Sequence, residues 1–224
     1  MRRSPSTPPR THGSWMPYIS LETLGSFALT SLVIELTPGP NMAYLAVLSA
    51  GQGRRVGFAA TLGIALGLLI IGLASALGLA ALISSSRFLY EALRWGGVAY
   101  LLWLAWDGWR DATETSPSRM QGDDANTQYF VRGLVTNLLN PKAALFYVAV
   151  LPRFVEAGRP ALWQTVFLSV VYVVIATAVH TTIVSLAGAA RPFLEDADRS
   201  RVVRRTLSLV LAAIAIWFAF NTAG

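Results

Sequence analysis

From Val56 to Ser86 the chain carries no charged side chain. A soluble domain has about 25% charged residues, so a run of this length has no natural place on a water-facing fold. A bilayer accounts for it, because about 20 consecutive apolar residues span the hydrocarbon core as a helix. The whole chain of 224 residues follows the same bias, with 54% hydrophobic and only 13% charged side chains. Its remaining charges gather between apolar blocks.

Six such blocks are legible. They run from Leu21 to Ser49, Val56 to Ile83, Phe88 to Trp109, Tyr129 to Val155, Ala161 to Ala190 and Thr206 to Thr222. Several exceed 18 residues with few charges, which predicts spanning helices rather than soluble core helices. Membrane strands would alternate apolar and polar residues over about 10 positions, and these blocks are continuously apolar. The expected fold is all-α: a polytopic membrane protein with six transmembrane helices. A first three-helix unit covers residues 16–110, a polar linker residues 111–128, and a second three-helix unit residues 129–224. Residues 1–15 are polar and lack the apolar core of a secretory signal. They read either as a disordered tail or as an extension upstream of a true start at Met16.

The net charge of +6 reads as topology rather than nucleic-acid affinity. Arg54 and Arg55, then Arg110, Arg119 and Arg132, then the arginines between Arg191 and Arg205 flank the loops after blocks one, three and five. They outnumber the arginines of the opposite loops, so the positive-inside rule predicts both termini outside the cytoplasm. No basic patch interleaved with aromatics suggests a nucleic-acid partner. The chain has no Cys, which excludes disulfide scaffolds, thiol redox chemistry and Cys-ligated metals. No Walker motif supplies a built-in ATPase, and nothing calls for a cofactor.

Blocks one and four share an interruption. Thr37-Pro38-Gly39-Pro40-Asn41 breaks the first, and Asn137-Leu138-Leu139-Asn140-Pro141-Lys142 breaks the fourth. Pro removes a backbone donor and clashes with the preceding turn. In lipid the freed carbonyls are costly unless they line a cavity or lie buried in protein. With three blocks in each half, the second half is inverted relative to the first, and paired broken helices mark the site of an inverted-repeat transporter. Half-helix N-termini favour an anionic group and half-helix C-termini a cation, so a zwitterion suits the pair. Pro38, Gly39, Pro40, Asn41, Asn137, Asn140, Pro141 and Lys142 are therefore candidate site residues, with Lys142 a carboxylate partner. Ionisable residues within the spans add Glu35, a candidate proton carrier or amine partner, and His180. Tyr172 and His180 lie on one polar stripe with Thr165 and Ser169. Asp107 reads as half of an interfacial pair beside Arg110. In block two, Gly63 and Gly67 form a GxxxG suited to close helix packing within the chain, or to a homodimer.

These residues resemble the LysE/RhtB family of amino-acid exporters. The resemblance rests on Leu36 to Asn41, Gln52 to Phe58, the glycine-bearing second block, Ala99 to Trp106, and Phe130 to Phe154 with Asn137 to Ala143 and Leu151-Pro152. It covers nearly the whole chain from Met16 to Asn221. It implies a multi-pass protein of the bacterial inner membrane, surrounded by lipid, that exports amino acids or similar small zwitterions by the proton-motive force. It also implies a start near Met16. Asp107 departs from the family's usual basic residue. The competing readings are an exporter of another small solute or a metal ion, and a membrane-embedded enzyme. The first lacks clustered carboxylates or histidines, and the second lacks motifs such as H-E-x-x-H or G-x-S-x-G.

Overall fold

The computed structural model describes residues 19–78, 86–111, 123–189 and 197–221. The expectations for residues 1–15, for the end of block two near Ile83 and for residues 112–122 of the polar linker fall outside these residues. Among the described residues the regular structure is helical throughout. In chain order, α1 spans Leu21–Leu36, α2 Pro40–Gln52, α3 Arg54–Ala76, α4 Arg87–Asp111, α5 Asp123–Leu138, α6 Pro141–Leu145, α7 Ala161–Ala189 and α8 Ala197–Asn221. After α6 the chain widens into a π-helical stretch, Phe146–Val150, then tightens into a 3₁₀ turn, Leu151–Phe154.

Among the described residues, two helices, α3 and α7, are each long and apolar enough to cross a bilayer. At 1.5 Å per residue, the 23 residues of α3 extend about 34 Å, the thickness of a hydrocarbon core. Asp124–Leu138 and Pro141–Phe154 meet that test together but are bent by 51°, as a broken span or a re-entrant loop. The remaining helices are shorter or carry more charge. Outward-facing Leu29, Val33, Leu62, Ile70, Val174, Leu186 and Phe220 form an apolar exterior. Exposed apolar surface on this scale is unstable in water and suits lipid. The protein is thus a helical membrane protein.

Packing depends on small residues where helices cross. A Cβ at Gly63 would strike the Phe130 carbonyl and the Leu134 amide of α5, and one at Gly133 would strike the Ala60 backbone of α3. The GxxxG face of α3 is therefore filled by α5 within the chain. On its other side α3 packs along α7, while α4 pairs with α8. The paired halves of the first broken helix, α1 and α2, lie against α7. Phe27, Leu45, Leu68, Tyr147, Leu168 and Tyr172 belong to the shared core.

Candidate functional site

Each break follows from its local sequence. Ser20 opens α1 by accepting the Thr23 amide, and α1 ends when Thr37 turns extended before Pro38. Gly39 is also extended, and Pro40 begins α2 at the first helical position, where its missing N–H costs nothing. The second break repeats the device. Asn140 caps α6 by accepting the Lys142 amide at 3.0 Å, and Pro141 takes the first helical position.

The two breaks meet in the interior. Asn41 Nδ2 donates to Asn137 Oδ1 at 2.9 Å, and both residues are buried. Lys142 Nζ donates to the Thr37 carbonyl at 2.7 Å. The last turn of α1 has no basic residue of its own, so Lys142 brings a cation from the other half of the chain to the helix's negative end. Gly39 permits this approach, because a Cβ there would lie 3.3 Å from Lys142 Cδ.

Glu35 stands one turn before the break, buried, with both carboxylate oxygens directed at α7. Tyr172 Oη donates to Oε1 at 2.5 Å, and His180 Nε2 lies 3.4 Å from Oε2. Tyr172 and His180 are eight residues apart, about 2.2 turns, so they project from neighbouring sides of α7 and converge on the one carboxylate. Thr165 and Ser169, on the same stripe, lie elsewhere. The Ser169 hydroxyl donates to the Thr165 carbonyl, and its side chain packs where a Cβ on Gly72 would fall. Phe146 stacks on Tyr172 with ring centroids 3.7 Å apart, and Tyr147 meets Tyr172 edge-on at 5.5 Å. Ser75 donates to the Tyr147 carbonyl across the π-helical stretch.

Glu35, Gly39, Asn41, Asn140, Lys142, Tyr172 and His180 thus line one cavity, together with Met42, Leu68 and Ala143. Asn137 reaches it through Asn41. Pro40 and Pro141 are buried at the two helix starts, while Pro38 points outward. In this conformation the cavity is narrow, with space for about one water molecule. Two amide atoms beside it, Asn41 Oδ1 and Asn137 Nδ2, have no hydrogen-bond partner among the described residues. One is an acceptor and the other a donor, so the pair offers complementary ends to a polar ligand. Among the described residues, no group of three or more His, Asp or Glu side chains converges as a metal site would need.

Asp107, near the end of α4, forms an ion pair with Arg132 of α5 at 2.7 Å. Met42, Leu68, Phe146 and Tyr147 were not singled out in the sequence. In an apolar run, a wall residue and a core residue have the same composition.

The family described as LysE type translocator matches residues 32–222, which includes both breaks. The homoserine/homoserine lactone efflux protein of Salmonella typhimurium is 32% identical over 162 residues, covering 72% of this chain and 79% of that protein. The leucine efflux protein of Salmonella choleraesuis is 30% identical over 166 residues, covering 73% of this chain and 78% of that protein. No solved structure matches the chain. The extent of the family match and the relatives' coverage carry one conclusion, a transporter rather than an enzyme: the chain belongs to the LysE-type translocator family.

Proposed function

We propose that this protein exports amino acids or closely related zwitterions across the bacterial inner membrane, through the cavity where the two helix breaks meet. The contact that carries this reading is Asn41 with Asn137, which leaves one acceptor and one donor unpaired beside Glu35 and Lys142. A substrate ammonium would lie between Glu35 and Asn41 Oδ1. Its carboxylate would take Lys142 and Asn137 Nδ2. Lys142 would then release the Thr37 carbonyl, so binding loosens the joint between the two halves. The narrow cavity fits one stage of alternating access, in which the site opens to each side in turn.

The reading includes six spans in two inverted triplets. Three features support it. The breaks use the same Pro-at-N1 device. The third helix of each triplet, α4 and α8, pairs with its counterpart. The broken helix of each triplet packs against the second helix of the other, α5 on α3 and α1–α2 on α7. The arginine-rich loops then lie on the cytoplasmic side and both termini outside. Coupling to the proton-motive force would run through Glu35, whose carboxylate accepts from Tyr172 and lies 3.4 Å from His180 Nε2. The relatives named for homoserine and leucine efflux make those two the first substrates to try.

Mass spectrometry of the medium tests the substrate. Cells expressing the protein should enrich the medium in at least one amino acid and tolerate an amino-acid or dipeptide load that arrests cells lacking it. Identical media and identical sensitivity would count against export.

A further inference from the structure

A larger cavity lies between α2, α4, α5 and α8, with α2 common to both cavities. Its volume is about 70 Å³, against about 10 Å³ for the central cavity. It shares no lining residue with the central cavity. The two are nonetheless adjacent: Asn41 lines one and Tyr44 the other, about 4.5 Å apart along the α2 axis.

The polar groups of this cavity form a matched set. Arg132 and Asp107 are paired at 2.7 Å, with side chains 14% and 28% exposed. Arg132 is framed by the Trp103 ring at 5.2 Å and the Tyr129 ring at 5.4 Å. Tyr44 is only 4% exposed, and its hydroxyl has no hydrogen-bond partner among the described residues. That hydroxyl lies within electrostatic reach of both Arg132 and Asp107. A buried hydroxyl left unpaired is unfavourable, and a ligand that accepts its hydrogen bond relieves this. Val47, Leu104 and Leu211 supply an apolar wall.

We propose that this cavity is a loading site for a zwitterionic amino acid, where Arg132 takes the carboxylate, Asp107 the ammonium and Tyr44 the remaining carboxylate lone pair. The substrate inserts into an existing ion pair, so net charge is conserved and each protein charge keeps a partner. The pair is mostly buried, so opening it is costly unless each charge gains a new partner, which the substrate's two charged groups supply. Arg suits the carboxylate because its planar fork binds both oxygens. With the orientation proposed above, the site lies toward the side from which an exporter collects its cargo, lined by the last turns of α2 and α4 and the middle of α5 and α8.

The inference rests on the export reading, and one experiment separates the two. The chain has no Cys, so Ser208→Cys places a single thiol on the cavity wall. In inside-out vesicles a membrane-impermeant methanethiosulfonate reagent should label it. L-homoserine or L-leucine at about ten times its Kd should slow labelling about tenfold. Protection should persist when Lys142→Ala is added and disappear when Arg132→Gln is added. Val47→Cys gives the same readout from the facing wall if Ser208→Cys fails to fold. Protection that survives Arg132→Gln, or labelling only from the opposite face, overturns the loading site. Amino-acid flux in the wild type without protection overturns it alone. Absence of both flux and protection overturns the export reading with it.

Discussion

Adding one methyl group at Gly67 tests whether the joint between the two breaks controls transport. A Cβ there would lie 2.7 Å from Asn137 Nδ2 and 3.0 Å from its Cβ. Ordinary contact begins near 3.4 Å, so Asn137 must retreat by about 0.7 Å. A shift of that size along the Asn41–Asn137 bond would stretch it from 2.9 Å to about 3.6 Å, beyond hydrogen-bond reach. Overpacking of this kind costs about 1–3 kcal/mol. Expressed at the site, each 1.36 kcal/mol is a factor of ten in rate, so Gly67→Ala should slow amino-acid flux about ten- to hundredfold. Two neighbours calibrate the effect. Gly25→Ala meets nothing within 4 Å and should leave flux and melting unchanged or slightly improved. Gly63→Ala meets α5 backbone and should lower yield and Tm first. Flux in proteoliposomes, with Tm in detergent beside it, reads all three. Wild-type flux in well-folded Gly67→Ala would refute the reasoning.

Further outcomes follow from the same contacts. Tyr172→Phe removes the donor to Glu35 Oε1, a charged hydrogen bond whose loss costs about 1.5–3 kcal/mol; it should shift the pH profile of transport while the protein still folds. Glu35→Gln should uncouple flux from an imposed pH gradient, which parallel measurements with and without the gradient would reveal. Outside the spans, the Ser20 amide and then the Thr23 hydroxyl bond the Glu156 carboxylate and hold its pKa below the usual value of 4.5. A depressed carboxyl adds stability that is fully present above its unfolded pKa and lost as pH falls through the folded one. The Tm gap between wild type and Glu156→Gln should therefore be constant above pH 5, by about this reckoning, and close in more acidic buffer. A gap that widens with acid would contradict the Ser20–Glu156 tether.

The breaks were legible in the sequence because Pro carries its backbone consequence wherever it stands. Pro40 and Pro141 each begin a helix, and Asn140 caps one, as their chemistry requires. Glu35 and His180 stood out because charge is expensive among apolar neighbours. What the sequence left unread is pairing at long range. Lys142 reaches a carbonyl 105 positions earlier in the chain, and no local pattern names that partner. Asp107 finds its partner, Arg132, on another helix, because α4 presents it to α5. The polar stripe of α7 divides for the same reason: Tyr172 and His180 face α1, whereas Ser169 fills the space over Gly72. The π-helical stretch after α6 has no signature in Phe146–Val150, and its effect, turning Phe146 and Tyr147 onto Tyr172, emerges only from the fold.

The most direct test of the central claim is flux of L-homoserine and L-leucine through purified protein in liposomes, wild type against Lys142→Ala. Export through the joined breaks predicts movement of at least one of them above protein-free liposomes, and its loss in Lys142→Ala at an unchanged helical content. Equal flux in Lys142→Ala, or none in the wild type with or without a pH gradient, would contradict it.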